Sequence, residues 1–132
     1  CKRLIPVIEK LKHLGIRVSL FVDPIIETVE TAAKIGADRI ELYTEPYARA
    51  FSENKNLQQL TAKYAAAAEY AGKIGLGVNA GHDLNLENLG FFCQNVRPLM
   101  EVSIGHALIS DAIDMGLAQA VKAYIKILND NS

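Results

Sequence analysis

The sequence predicts an α/β protein in which parallel strands alternate with helices. Short apolar runs rich in β-branched and aromatic residues alternate with longer stretches whose apolar residues recur every three or four positions. Gly15, Gly36 and Gly75 each stand between the end of a helical pattern and the start of an apolar run. Glycine suits the left-handed conformation that often ends a helix. Short connections between alternating strands and helices favour right-handed crossovers and a parallel sheet.

Four strands are predicted, and their mostly apolar character is typical of strands that are covered on both faces. They are Val18–Val22, Arg39–Thr44, Leu76–Ala80 and Glu101–Ile104. In the second strand, Ile40 and Leu42 alternate with Glu41 and Tyr43. The two apolar residues are expected to face covering helices, which leaves Glu41 on the other side of the sheet.

A helix is predicted before the first strand and after each of the four strands. Asp23 and Pro24 are expected to cap the second helix and to occupy its first position. The pattern after the fourth strand is interrupted by Gly116, which predicts a short helix of about Ala107 to Met115 and then a longer one. The segment from about Glu45 to Asn56 is predicted to be a long polar connection.

Four such units fit either an open doubly wound sheet or half of a (β/α)8 barrel. No strand is followed by a glycine-rich dinucleotide fingerprint. Polar residues instead gather where strands end, the rim on which barrel active sites are built. These residues are Asp23, Glu41, Tyr43, Asn79, His82, Ser103 and His106. The half-barrel is therefore preferred, with helices on one side of the sheet and Ser19, Phe21, Glu41 and Tyr43 on the other.

Composition narrows the class of protein. Of the 132 residues, 14 are basic and 15 acidic, giving a net charge of −1, so neither nucleic acid nor an anionic membrane is the expected partner. The two cysteines, Cys1 and Cys93, predict no structural disulfide, and a reducing cytoplasm is the expected location. No apolar run is long enough to span a bilayer, and no signal peptide is expected. Because the chain starts at Cys1 within a helical pattern, residues 1–132 are expected to be part of a longer protein.

Three positions could carry chemistry. His82 follows the third strand and could exchange a proton near neutral pH, or it could be a loop residue that only binds backbone. Gly105 and His106 open the short helix after the last strand, where a helix N-terminus suits phosphate, although Gly105 could merely permit a tight turn. Glu41 would be a carboxylate inside the barrel, with a function or with an ion-pair partner outside this sequence.

Other chemistry-bearing residues indicate no site. Cys93 has no basic neighbour and is expected to be a small buried hydrophobic residue. No spacing of cysteines and histidines resembles a zinc site, and no carboxylates cluster to replace them. No metal is therefore expected.

Four segments, taken together and in order, resemble the second half of the pyridoxine 5′-phosphate synthase family. The resemblance covers essentially the whole chain, and its most specific feature is Asn-Ala-Gly-His followed later by Ile-Gly-His-Ala. The segments are residues 15–24 (GIRVSLFVDP), 40–44 (IELYT), 78–82 (VNAGH) and 104–109 (IGHALI).

The resemblance implies an enzyme that condenses 1-deoxy-D-xylulose 5-phosphate with 3-amino-2-oxopropyl phosphate to pyridoxine 5′-phosphate, phosphate and water. It implies no metal or organic cofactor, and a homo-octamer. Glu41 matches the glutamate that stabilises charge in the transition state, and His82 matches the proton donor. Gly105 and His106 match the residues that bind the phosphate of the aminoketone. Asp83 occupies a position whose backbone N–H contacts that substrate; some relatives have glycine there.

The family's first half, which carries the remaining site residues, is not in this sequence. The chain is accordingly expected to hold about half an active site and to be inactive alone. Two alternatives stay open: another phosphosugar-binding barrel enzyme, and a non-catalytic half-barrel. A Schiff-base aldolase is disfavoured because the four predicted strands contain no lysine.

Overall fold

The computed structural model describes residues 3–131, and within that range the chain is an α/β protein with a four-stranded parallel sheet. The strands are β1 (Ser19–Val22), β2 (Arg39–Tyr43), β3 (Gly77–Gly81) and β4 (Glu101–Ser103). The helices are α1 (Ile5–His13), α2 (Ile26–Lys34), α3 (Glu45–Glu53), α4 (Leu57–Lys73), α5 (Leu89–Asn95), α6 (His106–Met115) and α7 (Leu117–Asp130). Each predicted strand is present, with its ends within one residue of the prediction.

The strands lie side by side in the order of the sequence, β1-β2-β3-β4, and every neighbouring pair is parallel. Phe21 pairs with Glu41, Glu41 with Asn79, and Asn79 with Glu101, so these four residues form one row across the sheet. Because side chains alternate along a strand, a row of paired residues points to the same face. The sheet thus has two faces of different composition.

One face of the sheet packs against the helices and forms the hydrophobic core; we call it the core face. Its residues are Leu20, Val22, Ile40, Leu42, Val78, Ala80 and Val102. Long side chains from α3, α4 and α5 complete this core, among them the fully buried Tyr47, Tyr64 and Phe92. Cys93 lies in the same cluster, and burial raises the pKa of its thiol, as expected for an unreactive core cysteine.

The opposite face, which we call the open face, is polar and partly exposed. It carries Ser19, Phe21, Arg39, Glu41, Tyr43, Asn79, Glu101 and Ser103. Phe21 is 56% exposed, and no helix within residues 3–131 covers it. This confirms the prediction that Ser19, Phe21, Glu41 and Tyr43 lie on the side away from the helical core.

The predicted start of α2 is wrong. The helix begins at Ile26, after an extended Ile25, and no side chain caps it. The carbonyl of Asp23 instead accepts a hydrogen bond from the backbone N–H of Ile25 at 2.7 Å and one from the Thr28 hydroxyl at 3.0 Å. Because this tight turn uses the Asp23 backbone, the helix starts two residues later than Pro24 suggested.

The predicted polar connection at Glu45 to Asn56 is also wrong, because most of it is the helix α3. Tyr47, Ala50 and Phe51 recur at helical spacing and turn one side of α3 towards the core. Asn54 and Asn56 then adopt positive φ angles of 48° and 55°, which ends α3 and starts α4. The many polar residues of this segment predict a connection, although its few apolar residues have the spacing of a helix.

The helices after β4 agree with prediction: α6 and α7 meet at Gly116, whose φ is 86°. Among residues 3–131, no helix combines the length and the apolar character that crossing a bilayer requires.

Candidate active site

Glu41 lies at the centre of the open face, and its carboxylate reaches towards the C-terminal ends of the strands. A Cβ built on Gly81 would lie 2.5 Å from Oε1 of Glu41 and 2.8 Å from Cβ of Ser103. Only glycine at position 81 leaves room for the carboxylate there. The Glu41 side chain has no hydrogen bond or ion pair with any other residue in the range 3–131.

His82 follows β3 directly and has an unusual backbone conformation. Its φ is 99°, and that of Asp83 is 58°. Positive φ angles are uncommon for residues other than glycine and cost free energy, of order 1–3 kcal/mol each when they are held in place. Such strain is frequent at active sites, where surrounding contacts hold the chain in a conformation that it would not adopt alone.

Two buried polar side chains hold this strained loop. The hydroxyl of Thr44, fully buried at the end of β2, donates a hydrogen bond to the carbonyl of His82. The side-chain amide of Asn88, 2% exposed, donates to the carbonyl of Asp83 at 3.0 Å. The His82 ring also packs edge-on against Tyr43, with 5.1 Å between ring centroids. Thr44 and Tyr43 therefore hold His82 directly, and Asn88 holds the residue that follows it.

Asp83 lies between two histidines. One carboxylate oxygen is 3.2 Å from Nδ1 of His82, and the other is 3.2 Å from Nε2 of His106. The side chain of His106 is 80% exposed, that of His82 48% and that of Asp83 31%. Solvent and a small ligand can reach all three groups.

The N-terminus of α6 adjoins this cluster. Gly105 is the residue before the helix, and its carbonyl accepts the backbone N–H of Leu108 at 3.1 Å. The backbone N–H groups of His106 and Ala107 have no acceptor among residues 3–131. A Cβ built on Gly105 would meet no atom within 4 Å, so there is open space in front of this helix end. Free N–H groups and the helix dipole together favour an anion.

The structure thus brings four of the sequence-predicted residues, His82, Asp83, Gly105 and His106, together at the C-terminal ends of β3 and β4, with the Glu41 carboxylate beside Gly81. This arrangement puts a carboxylate, two imidazoles and a helix end with free backbone N–H groups in one small region. Asn79, also predicted for this rim, pairs with Glu41 in the central row, but its side chain contacts Arg39 and Glu101 and not the rim residues.

Sequence reasoning missed the residues that support the site. The sequence predicts Thr44 only as the last residue of a strand, and it predicts no role for Asn88. The spacing of Asn85 and Asn88 is typical of a turn held by asparagine side chains. In the structure, the side-chain oxygen of each accepts a hydrogen bond from the backbone N–H of the other. The Asp83 side chain was also overlooked, since the resemblance implied only a backbone contact.

Comparison with known proteins identifies the chain's relatives. The family model described as "Pyridoxal phosphate biosynthesis protein PdxJ" matches residues 1–130. The chain is 53% identical over 123 residues, 92% of its length, to the pyridoxine 5′-phosphate synthase of Flavobacterium johnsoniae, and these cover 51% of that protein. It is 52% identical over 125 residues to the enzyme of the same name from Cytophaga hutchinsonii, covering 95% of this chain and 52% of the relative.

The chain spans about half the length of these curated relatives. The match nevertheless extends over nearly all of this sequence and includes every residue of the cluster described above. The chain therefore belongs to the PdxJ family of pyridoxal phosphate biosynthesis proteins.

Proposed function

We propose that the full-length protein containing this chain is a pyridoxine 5′-phosphate synthase. It condenses 1-deoxy-D-xylulose 5-phosphate with 3-amino-2-oxopropyl phosphate and releases pyridoxine 5′-phosphate, phosphate and water. The observation that carries this proposal is the cluster of His82, Asp83 and His106 beside the Glu41 carboxylate, at the strand ends where barrel enzymes build their sites. Relatives with this name match the chain at about 50% identity.

We further infer that the chain is the C-terminal half of one (β/α)8 barrel domain. Four parallel strands in sequence order, with the helical core on one face, are what half of such a barrel contains. The outer strands β1 and β4 each have one edge that no strand of residues 3–131 pairs with. In a closed barrel these edges pair with further strands, and the open face becomes the barrel interior.

Glu41 and His82 are proposed to carry the chemistry. A carboxylate without a protein partner, pointed at the rim, can stabilise positive charge that develops on the substrate, because electrostatic stabilisation is strongest where groups are fixed in advance. His82 is held by Thr44 and Tyr43, so its imidazole can deliver a proton to a leaving oxygen without first being ordered.

The phosphate of the aminoketone substrate is proposed to bind at the N-terminus of α6. The free N–H groups of His106 and Ala107 and the exposed imidazole of His106 supply donors for its oxygens. The backbone N–H of Asp83 is proposed as a further donor to this substrate. A short helix after the last strand is a frequent phosphate site in barrel enzymes.

The direct test is an assay of a full-length protein that carries this sequence as its second half. Incubation with both substrates should form pyridoxine 5′-phosphate, identified by mass spectrometry, and release one phosphate for each product molecule. Each substrate alone serves as the control and should give no product. A folded full-length protein that binds both substrates and forms no pyridoxine 5′-phosphate would contradict the proposal.

A further inference from the structure

The Asp83 side chain has a feature that its expected backbone role does not explain. Its two carboxylate oxygens divide between two imidazoles, 3.2 Å from Nδ1 of His82 and 3.2 Å from Nε2 of His106. The first contact joins chain neighbours, but the second joins residues that are 23 positions apart and lie on different βα units. One carboxylate therefore lies within 3.2 Å of two imidazoles.

The backbone at Asp83 has an unusual conformation that buried side chains support. Positive φ at both His82 and Asp83 bends the chain here, and Nδ1 of His82 lies 3.2 Å from Oδ2 of Asp83. Thr44 and Asn88 hold the two carbonyl groups of this bend by hydrogen bonds from buried side chains. The bend is therefore a fixed feature of the loop, since groups in the protein interior maintain it.

We propose that Asp83 is a positioning residue, whose carboxylate holds the His82 ring with its Nδ1–H towards Asp83 and leaves Nε2 as the nitrogen that exchanges a proton with substrate. Which ring nitrogen of a histidine is protonated is set by the partner of the other nitrogen, and a carboxylate at Nδ1 selects the Nδ1–H form. Here Oδ2 of Asp83, 3.2 Å from Nδ1, is the acceptor that the structure places beside this nitrogen. The inference rests on the proposed role of His82 and adds the group that orients it.

The packing of the ring supports one orientation. Tyr43 lies edge-on to His82, with planes at 79°, and this contact restricts rotation of the ring. With Nδ1 turned towards Asp83, Nε2 points to the other side of the ring. The carboxylate and the tyrosine together define the ring plane and the direction in which the proton is presented.

The test compares Asp83→Gly with Glu87→Gln in a full-length protein that carries this sequence. Glycine keeps the backbone N–H and adopts a φ of 58° without strain, so the replacement removes the carboxylate while the loop can keep its shape. Glu87 is exposed in the same loop, and its side chain contacts no histidine among residues 3–131, so Glu87→Gln is a control for loss of one charge. Two measurements are made on each variant: imidazole ¹⁵N–¹H spectra of His82, and kcat and KM for both substrates.

We expect the unmodified protein and Glu87→Gln to show His82 protonated at Nδ1. In Asp83→Gly the Nδ1–H form should lose its dominance, and kcat should fall about tenfold while each KM changes less than about threefold, as is typical when a group that orients a reacting residue is removed. An unchanged His82 spectrum in Asp83→Gly, or an unchanged kcat, would overturn the proposal. If the unmodified protein makes no pyridoxine 5′-phosphate, the proposed function fails, and the spectra alone still decide whether Asp83 positions His82.

Discussion

The two ends of the open face differ in how their charged groups are paired. At the N-terminal ends of the strands, Arg39 contacts Oε1 of Glu101 at 2.8 Å and Oδ1 of Asn79 at 3.0 Å. Arg17 binds both oxygens of Glu101 at 3.1 Å, and the Asn79 amide donates to Glu101 at 3.2 Å. We call Arg17, Arg39, Asn79 and Glu101 the basal network.

At the C-terminal ends, the polar groups are less completely paired. Glu41 has no partner among residues 3–131, His82 and Asp83 have strained backbones, and two N–H groups at the start of α6 are free. We call Glu41, His82, Asp83, Gly105 and His106 the rim cluster. Polar residues that pair with one another stabilise a fold. Polar groups without partners, and strained backbones, are typical instead of sites that bind a ligand. We therefore assign a stabilising role to the basal network and propose that the rim cluster carries the chemistry.

The largest effect is expected for His82→Asn in a full-length protein that carries this sequence. If His82 is the proton donor, as proposed, its removal should lower the single-turnover rate about 10²- to 10⁴-fold. Asparagine tolerates positive φ better than most residues, so the loop should keep its conformation. Stopped-flow or quenched-flow measurement of pyridoxine 5′-phosphate formation checks this. Loss of substrate binding together with the rate would instead indicate a structural role for His82.

The second-largest effect is expected for Glu41→Gln, which should lower kcat about 10²- to 10³-fold and change KM little. The substitution keeps the size of the side chain beside Gly81 and removes its charge, so the loss falls on stabilisation of charge in the transition state. Steady-state kinetics on both substrates measure the two parameters separately. A normal kcat would remove Glu41 from the proposed mechanism.

Gly81→Ala should damage both rate and stability, because the added Cβ collides with the Glu41 carboxylate and with the Cβ of Ser103. Overpacking of this kind costs about 1–3 kcal/mol of unfolding free energy. Gly90→Ala is a matched control: there the nearest atom to a new Cβ is 3.7 Å away, an ordinary contact, within the helix α5. Urea unfolding of both variants should show a loss for Gly81→Ala only.

The smallest effect is expected for the basal network, and it concerns how the melting temperature changes as the pH is lowered. Burial disfavours the Glu101 carboxylate, but the charges of Arg17 and Arg39 outweigh this and lower its pKa below the usual value. A carboxylate with a lowered pKa stabilises the fold above its unfolded-state pKa, and that stabilisation is lost as the pH falls through the folded-state value. The effect is small because Glu101 is 46% exposed. Melting temperatures between pH 3 and about pH 7 should fall less steeply for Glu101→Gln than for the unmodified protein.

Much of the fold follows from local patterns in the sequence. The four strands and their parallel order were predictable because the apolar runs are short and glycines mark the helix ends at Gly15, Gly36 and Gly75, all of which have positive φ. The start of α2 and the helix α3 were mispredicted. In both places a tertiary or turn contact, the Asp23 carbonyl in one and the burial of Tyr47 in the other, outweighs local composition.

For the rim cluster, the sequence indicated which residues gather but not how they pair. His82 and His106 were predictable from their positions after strands. The placement of Asp83 between them depends on two positive φ angles and on support from Thr44 and Asn88, which no pattern of residue types specifies. The basal network was not predicted, because its four residues come from four separate segments that meet only in the folded sheet.

The most direct test measures single-turnover rate and melting temperature for His82→Asn and Glu101→Gln, prepared in the same full-length background. We expect opposite outcomes at neutral pH: His82→Asn loses the rate and keeps the melting temperature, and Glu101→Gln keeps the rate and melts at a lower temperature. If His82→Asn instead melted at a lower temperature while its folded fraction kept a near-normal rate, the division of the open face into a catalytic rim and a structural base would be contradicted.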